Sequence, residues 1–359
     1  MKNTNFRVHK QNIYQVNANQ TTLTDLQDGE IRLKIDQYAF TSNNISYAVS
    51  GFSLRYWEFF PTEAPYGIIP VWGYADVVAS KHEAIKVGER FYGYYPMSTF
   101  CTMQPVKVNP YNFIDGAEHR RELAAIYNSY TRIISKAILH TEALQNHAPI
   151  IHPVFATSFM LYQFFKEQDF IDAEQVVITS ASAKTSLGLA FMLHQNKIAD
   201  GKKIVGLTSS QNMDFVKSTN YYDEVLAYEN YENLSADKLL VIDIRGNRNF
   251  LFNLTDYFKD QIVHIARVGA TDWKASGKHS DIPKAEFFFA PTPIKAFFKK
   301  HGPAEGMQII NRTAVQFIQD TKDTIELEFI TDNEQLSKVY LDMVDGKVNP
   351  KKGYLVKLS

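Results

Sequence analysis

The sequence predicts a two-domain α/β protein, in which a β-rich domain is followed by a doubly wound parallel sheet. Three observations support this. The chain has 359 residues, which exceeds a single average domain. Its first third contains runs that alternate apolar and polar residues with the period of a half-buried strand. From residue 175 onwards, short β-branched runs alternate with helical patterns, as a parallel sheet with crossover helices requires.

Composition excludes several classes of protein. The formal net charge of −1 provides no basic field for a nucleic-acid backbone. Cys101 is the one cysteine, which excludes internal disulfides and multi-cysteine zinc sites and suits a reducing compartment. The N-terminus has no apolar signal core, and no apolar run approaches the ~20 residues of a membrane span. We therefore expect a cytoplasmic protein with no nucleic-acid and no membrane partner.

The β-rich domain is assigned to residues 1–125. The segment 31–38, I-R-L-K-I-D-Q-Y, alternates with period two, and shorter strands are predicted at 75–78 and 91–94. An aromatic, proline-punctuated loop lies at 56–74, a type of loop that often carries function. Helical patterns then occupy 117–130 and 153–168.

The parallel-sheet domain is assigned to residues 126–295, and residues 296–359 to a separate C-terminal segment. About six strands suit a doubly wound sheet. In the C-terminal segment, the pattern is a helix, a strand at 324–329, a helix at 332–344 and a strand at 353–358. The predicted strands of the sheet are 176–179, 204–207, 225–226, 239–244, 262–268 and 286–289.

A phosphate-binding turn is predicted between the first strand and first helix of this sheet. The β-branched run 176–178 stops at small polar residues, and one helical face then follows from Leu187 to His194. Such a turn directs unpaired backbone N–H groups and the positive end of a helix dipole at a ligand, which favours a phosphate. Lys184 adds a positive charge. The predicted cofactor-binding residues here are Ser180, Ser182, Ala183, Lys184 and Thr185.

The turn lacks the glycines of two familiar phosphate loops. A G-x-G-x-x-G fingerprint needs glycines near Ser180, Ser182 and Thr185, where small hydroxyl residues stand instead. A G-x-x-x-x-G-K-[ST] loop needs glycines at 178 and 183, so this second motif is rejected. An ordinary buried strand–helix turn remains the alternative.

Several runs resemble one known superfamily. The segments D-G-E-I-R-L-K at 28–34, V-G-E-R-F-Y-G at 87–93 and V-V-I-T-S-A-S at 176–182 are similar to motifs of the medium-chain dehydrogenase/reductase superfamily, on its zinc-free, quinone-oxidoreductase-like side. Runs at 94–97 and 180–185 look like an uncharacterised bacterial branch of it, a domain family of unknown function. The resemblance implies a GroES-like first domain, a Rossmann second domain and, over residues 296–359, a C-terminal return that completes the first domain. Homodimers are common among the resembled enzymes, so a homodimer is left open.

The resemblance also carries departures and candidate catalytic residues. The zinc enzymes of the superfamily use an early cysteine and a Gly-His-Glu motif, but 41–46 has no cysteine and Gly-Tyr-Ala occupies 73–75, so we expect no metal site. The stretch with Asn43, Asn44 and Tyr47 corresponds to one that faces nicotinamide and substrate, where these groups would orient a carbonyl or donate a proton. A polar turn is the alternative. Tyr130 shares a predicted helical face with Tyr127 and is a third catalytic candidate, or a core aromatic.

The second strand indicates the cofactor. An NAD site places an acid at the end of that strand, whereas Ser209, Ser210 and Asn212 occur here and no acid appears until Asp214. This favours NADP(H), with the serines and Asn212 holding the 2′-phosphate. The loops with Arg245 and Val268 end the fourth and fifth strands and are expected to border the nicotinamide.

The function expected from these features is a zinc-independent NADP(H)-dependent oxidoreductase. It would move hydride to or from a small-molecule carbonyl, enone or quinone. The alternative is a non-catalytic NADPH-binding sensor or interaction protein on the same fold.

Overall fold

A computed structural model describes residues 1–134, 138–197, 201–235, 238–269 and 282–358. The chain forms two compact units, which we call the first unit, residues 1–150 with 322–359, and the second unit, residues 151–321. The domain boundaries predicted at 125/126 and 295/296 are therefore placed too early in the chain. Residues 129–132 form a strand of the first unit, and the helices between 291 and 321 belong to the second.

The described residues contain strands, α-helices and short 3-10 helices. The strands are β1 Lys2–His9, β2 Asn12–Thr22, β3 Ile31–Phe40, β4 Tyr66–Gly67, β5 Pro70–Ser80, β6 Arg90–Pro96, β7 Phe100–Met103, β8 Pro105–Val106, β9 Asn112–Asp115, β10 Ser129–Arg132, β11 Gln175–Thr179, β12 Lys203–Thr208, β13 Glu224–Ala227, β14 Leu239–Asp243, β15 Ile262–Arg267, β16 Ala285–Phe287, β17 Glu326–Ile330 and β18 Lys352–Val356. The α-helices are α1 Ser42–Val49, α2 Ala148–Lys166, α3 Lys184–Gln195, α4 Met213–Ser218, α5 Arg248–Phe258, α6 Pro291–His301, α7 Pro303–Thr321 and α8 Asn333–Val344. The 3-10 helices are Tyr56–Glu58, Glu118–Arg120, Ala125–Asn128, Ile138–His140, Asp169–Asp172, Ser210–Asn212, Tyr228–Asn233 and Lys259–Gln261.

The first unit is built on two sheets. The larger has the order β17-β18-β3-β5-β6-β10-β9-β8, with β7 also paired to β3, and the smaller has the order β2-β1-β4. Strand β18, from the end of the chain, lies between β17 and β3, so the C-terminal return enters the interior of the sheet. The predicted return to the first domain is therefore present in the fold.

The prediction of a helix over 117–130 is wrong. Short 3-10 helices occupy Glu118–Arg120 and Ala125–Asn128, and β10 then pairs with β6 and β9. Tyr130 lies opposite Phe113 across the β9–β10 pair. Non-local strand pairing thus overrides the local helical spacing of Tyr127 and Tyr130, which do not share a helical face.

The second unit is a parallel sheet with the order β13-β12-β11-β14-β15-β16. This is the order third, second, first, fourth, fifth, sixth, the doubly wound arrangement in which ligands bind beyond the carboxyl ends of the strands. Every strand predicted for this sheet is present, with ends shifted by a few residues at most. The fold class, a GroES-like β-rich unit with a Rossmann unit, is confirmed.

The parallel sheet is buried on both faces, as its β-branched sequence predicts. Val177, Val205 and Val241, one on each of three adjacent strands, are fully buried. Beside the sheet, α2 carries Phe155, whose ring stacks on Phe317 of α7. Among the described helices, none combines the length and apolar character that a membrane crossing demands.

Candidate functional site

The predicted phosphate turn connects β11 to α3. Ser180 has φ +47°, the left-handed backbone conformation that the first glycine of a fingerprint loop would adopt without strain. Ala183 is the N-cap of α3, and no side chain caps the helix N-terminus there. The first-turn N–H groups of a helix have no intrahelical acceptors, so this N-terminus offers donors and the positive end of a dipole to an anion.

Two phenol groups hold the turn. The hydroxyl of Tyr228 accepts a hydrogen bond from the Ser180 N–H at 2.7 Å, and the hydroxyl of Tyr222 donates to the Ala181 carbonyl at 2.9 Å. Gly206 of β12 lies directly beneath. A Cβ at this position would meet the Ala181 Cβ and the Tyr222 ring at 2.9 Å each, so only glycine leaves room for them.

Helix α3 makes close contacts with α2 and with the end of β11. The Ser158 hydroxyl of α2 donates to the Thr185 carbonyl at 2.7 Å, and the Ser186 hydroxyl donates to the Thr179 carbonyl at 3.1 Å. A Cβ at Gly188 would meet the Ser158 Oγ at 2.9 Å. The helix N-terminus is therefore fixed relative to the end of β11.

Lys184 is the first residue of α3, and its side chain is half-buried. Burial lowers the pKa of its ammonium group to about 8. A partly desolvated cation at a helix N-terminus raises the local positive potential, because less water screens it. An anionic group on a ligand would stabilise the charged form of Lys184 in this environment.

The end of β12 lies beside the turn. The amide of Asn212 donates to the Ser182 hydroxyl at 3.3 Å, so these two predicted residues are together. The Ser210 hydroxyl donates to a carboxylate oxygen of Glu229, which follows β13. Sequence reasoning missed Glu229, because its test for an acid covered only the residues after the second strand. The signal was available, since the carboxyl ends of neighbouring parallel strands meet at one edge.

The ends of β11 and β14 are bound together through Thr179. Its hydroxyl donates to a carboxylate oxygen of Asp243 at 2.7 Å and accepts the backbone N–H groups of Ile244 and Arg245 at 2.9 and 3.0 Å. Asp243 is buried, and burial raises the pKa of its carboxyl group to about 6, although the Thr179 hydroxyl and the Gly246 N–H act in the opposite direction. The carboxyl ends of the two central strands are thus rigidly joined.

Arg245 and Val268 occupy the loops predicted for them. The Arg245 guanidinium lies 3.8 Å from the centre of the Tyr228 ring, a cation–π contact, and this places Arg245 next to the residue that holds Ser180. The Val268 N–H donates to the Asp243 carbonyl at 2.8 Å. Both residues therefore connect to the edge of the sheet at which the phosphate turn lies.

In the first unit, Tyr47 of α1 lies in an aromatic cluster. Its ring centre is 4.4 Å from that of Tyr56 and 5.8 Å from that of Tyr94. The Asn43 amide donates to the Tyr47 hydroxyl at 2.7 Å. Burial raises the pKa of Tyr47 above its ordinary value, while the hydrogen bond from the Asn43 amide acts against that rise. Tyr47 is therefore a neutral phenol whose oxygen accepts this amide.

Asn44 and Tyr130 serve the backbone of the first unit. The Asn44 side chain accepts the Thr41 N–H at 2.8 Å, which caps α1, and donates to the Pro70 carbonyl at 3.0 Å. The Tyr130 hydroxyl donates to the Tyr94 carbonyl and accepts from Arg120 at 2.9 Å. The polar groups of both side chains are engaged, so this geometry favours a structural role over the predicted catalytic one.

Comparison with known proteins assigns the family. Residues 38–349 match the family described as "Protein of unknown function (DUF2855)". The chain belongs to this family. The predicted resemblance to a domain family of unknown function is confirmed, and no curated protein sequence matches this DUF2855 chain.

Solved structures similar to this DUF2855 protein share its fold at low sequence identity. A putative NADPH:quinone reductase from Mesorhizobium loti is 9% identical with a TM-score of 0.65, covering 99% of this chain and 98% of its own. CurA from Vibrio vulnificus, in complex with NADPH, is 12% identical with a TM-score of 0.60, covering 96% and 94%. TarJ from S. aureus, also in complex with NADPH, is 10% identical with a TM-score of 0.58 over all of both chains. These likenesses show that this chain shares its overall fold with these proteins.

The structure brings together most of the predicted cofactor residues of this DUF2855 chain. The residues of the phosphate turn, the Ser210–Asn212 helix and Arg245 share one edge of the sheet, joined through Tyr228, Glu229 and Thr179. Sequence reasoning missed Tyr222, which lies just before β13, and Tyr228 and Glu229, which directly follow it. In the described part of the chain, no three His, Cys, Asp or Glu side chains gather in a metal-binding geometry.

Proposed function

We propose that this protein is an oxidoreductase that uses NADP(H), works without zinc, and moves hydride to or from a carbonyl, enone or quinone. The observation that supports this best is the turn between β11 and α3. Its left-handed Ser180, uncapped helix N-terminus and half-buried Lys184 form an anion site at the carboxyl edge of a sheet with the dinucleotide-binding strand order. The solved structures of similar fold that contain NADPH add to this support.

The residues of the second unit fit a dinucleotide. The N–H groups at the start of α3 would hold the pyrophosphate, and Lys184 would reach the 2′-phosphate of NADP(H). Ser209, Ser210 and Asn212 would contact the adenosine ribose and its 2′-phosphate, since this is the position at which doubly wound sheets read that group. Arg245 and Val268 would line the edge next to the nicotinamide. When bound, NADPH supplies the hydride.

Tyr47 would supply the proton in the reducing direction. Its raised pKa keeps the phenol protonated at neutral pH, and its oxygen already accepts the Asn43 amide. Among the hydrogen bonds of the described residues, none uses the Tyr47 proton. A carbonyl oxygen that gains negative charge would take this proton, while the nearby donors would stabilise the resulting phenolate. In this proposal Asn43 orients Tyr47, a role closer to the chemistry than those of Asn44 and Tyr130.

Titration of the protein fluorescence with NADPH and with NADH tests the cofactor. We expect NADPH to bind in the micromolar range. Failure of both nucleotides to bind would refute the dinucleotide site and would favour an interaction protein that binds no nucleotide.

Turnover separates an enzyme from a sensor. We expect oxidation of NADPH, followed at the absorbance of the reduced nicotinamide, with at least one member of a panel of quinones, enones and aldehydes. Tyr47→Phe should lower the rate constant kcat while NADPH affinity stays unchanged, because the phenol acts on the substrate. NADPH binding with no turnover across the panel would favour the alternative function, a sensor.

A further inference from the structure

Two consecutive residues after β13 connect two cofactor loops. Tyr228 and Glu229 begin the 3-10 helix Tyr228–Asn233. The Tyr228 hydroxyl accepts the Ser180 N–H of the phosphate turn at 2.7 Å, and the Glu229 carboxylate accepts the Ser210 hydroxyl at the end of β12. The end of β13 is therefore part of the same edge as the ends of β11 and β12.

Ser210 lies at the end of the second strand of the sheet, where the two nicotinamide cofactors are distinguished. In a doubly wound sheet, the end of the second strand is where a carboxylate accepts the ribose hydroxyls of NAD, or where other groups accommodate the 2′-phosphate of NADP. Here β12 is the second strand and carries no acid at its end, yet Glu229 brings a carboxylate to Ser210 from the neighbouring strand. The Ser210 hydroxyl lowers the pKa of Glu229, so the side chain is charged at neutral pH.

We propose that Glu229 is a specificity-determining residue that reads the 2′-position of the adenosine ribose. This inference rests on the proposed dinucleotide site. The carboxylate accepts the ribose hydroxyls of NAD(H) and repels the 2′-phosphate of NADP(H), whereas Lys184 attracts phosphate from the turn. The opposed charges keep the preference for NADP(H) over NAD(H) small.

The chain offers a matched pair of variants for the test. Glu229→Gln keeps the side-chain size and an acceptor for Ser210 but removes the charge, and Glu232→Gln removes another exposed charge from the same 3-10 helix. Dissociation constants for NADPH and NADH are measured by fluorescence titration at low and high salt, and thermal unfolding checks that each variant is folded.

We expect Glu229→Gln to tighten NADPH binding roughly fivefold, as removal of one solvent-screened charge repulsion predicts. NADH binding should stay the same or weaken. The gain should shrink as the salt concentration rises from about 0.1 M to about 1 M, because the repulsion is screened. Glu232→Gln should leave the ratio of the two affinities unchanged.

The outcomes separate this inference from the proposed function. Wild-type protein that binds neither nucleotide refutes the proposed function. A second outcome overturns only the role of Glu229. In it, wild-type protein binds nucleotide, but the ratio of NADPH to NADH affinity is the same for Glu229→Gln as for wild type or for Glu232→Gln. A change in ratio that salt does not reduce would also overturn it, since the proposed effect is electrostatic.

Discussion

Lys184 combines a positive charge, a helix N-terminus and partial burial at a single residue. If it contacts the 2′-phosphate, Lys184→Ala should weaken NADPH binding more than NADH binding, by about 1.5–3 kcal/mol for a lost charge-assisted hydrogen bond. Fluorescence titration of both nucleotides measures the two losses.

A second substitution separates charge from packing at this position. Lys184→Met keeps the apolar stem and removes the ammonium group, so it should reproduce the loss of affinity seen with Lys184→Ala. Equal weakening of NADPH and NADH would place the ammonium on the pyrophosphate, which both nucleotides share. Unchanged affinity for both would contradict any phosphate contact.

The buried carboxyl group of Asp243 makes stability depend on pH. Its folded-state pKa of about 6 exceeds the ordinary value of 3.8, so between these values the folded chain holds a proton that the unfolded chain has released. Stability contributed by this group is therefore present below pH 3.8 and is lost as the pH rises through 6, by about 3 kcal/mol in total. Asp243→Asn stays neutral, so relative to wild type it should gain stability as the pH rises.

Urea unfolding of wild type and variant across this pH range measures the difference. Asp256→Asn on α5, which removes an exposed carboxylate, is the control and should follow the wild-type profile. A difference between Asp243→Asn and wild type that is constant with pH would show that the carboxyl group titrates in the same way in both states.

At the scale of residues, a position could be predicted where it follows from one strand–turn–helix segment. The placement of Ser180, Lys184 and Asn212 at the end of a strand or near the start of a helix could be predicted, because the sequence reveals the types of these elements. The contacts of Tyr228 and Glu229 could not, because they depend on strand pairing. The backbone contacts of Asn44 could not either, because the sequence does not show that its amide caps α1 and binds the Pro70 carbonyl.

At the scale of elements, the parallel strands were predictable because burial on both faces leaves a continuous apolar run. The segment 117–132 was not, because its structure depends on a buried ion pair. The Arg120 guanidinium, 1% exposed, donates to an Asp115 carboxylate oxygen at 2.8 Å, to the Tyr130 hydroxyl at 2.9 Å and to the Tyr127 carbonyl at 2.8 Å. These contacts join the Glu118–Arg120 turn to β9 and β10.

This network predicts a large effect of one substitution. Arg120→Met should destabilise the first unit by roughly 3–5 kcal/mol, because it leaves the Asp115 carboxylate buried without its partner. Thermal unfolding measures the loss. Arg121→Met, at the exposed neighbouring residue, is the control and should change stability little.

A double substitution tests the reason for that loss. Arg120→Met with Asp115→Asn removes both charges and should recover part of the stability, since no unpaired charge remains. A double variant as unstable as the sum of the single variants would contradict the ion-pair explanation and would assign the loss to packing against Phe59 and Phe60, which the guanidinium also covers.

At the scale of the whole molecule, the first unit is discontinuous in sequence. The chain leaves the first unit after residue 150 and returns to it at residue 322. The resemblance to the superfamily indicated the return, and the 324–358 pattern agrees with it because it ends in a strand after the parallel sheet is complete. It did not fix the boundaries, because the helices α6 and α7 have patterns that suit either unit, and only their packing assigns them.

The returning strand makes a prediction for a shortened chain. A chain that ends at residue 321 lacks β17, α8 and β18, so β3 loses its neighbour β18 and the buried Leu355 and Val356 are missing. We expect the first unit to unfold in this chain, whereas the second unit, whose described strands all lie within 151–321, keeps its own unfolding transition and the proposed NADPH binding. A chain ending at residue 357 retains β18 and is the matched control.

Calorimetry counts the transitions, and limited proteolysis with mass spectrometry identifies the segments that are cut. If residues 1–150 resist proteolysis as well as they do in the control, the first unit does not need the C-terminal return. Strand addition at β3 would then contribute little to its stability.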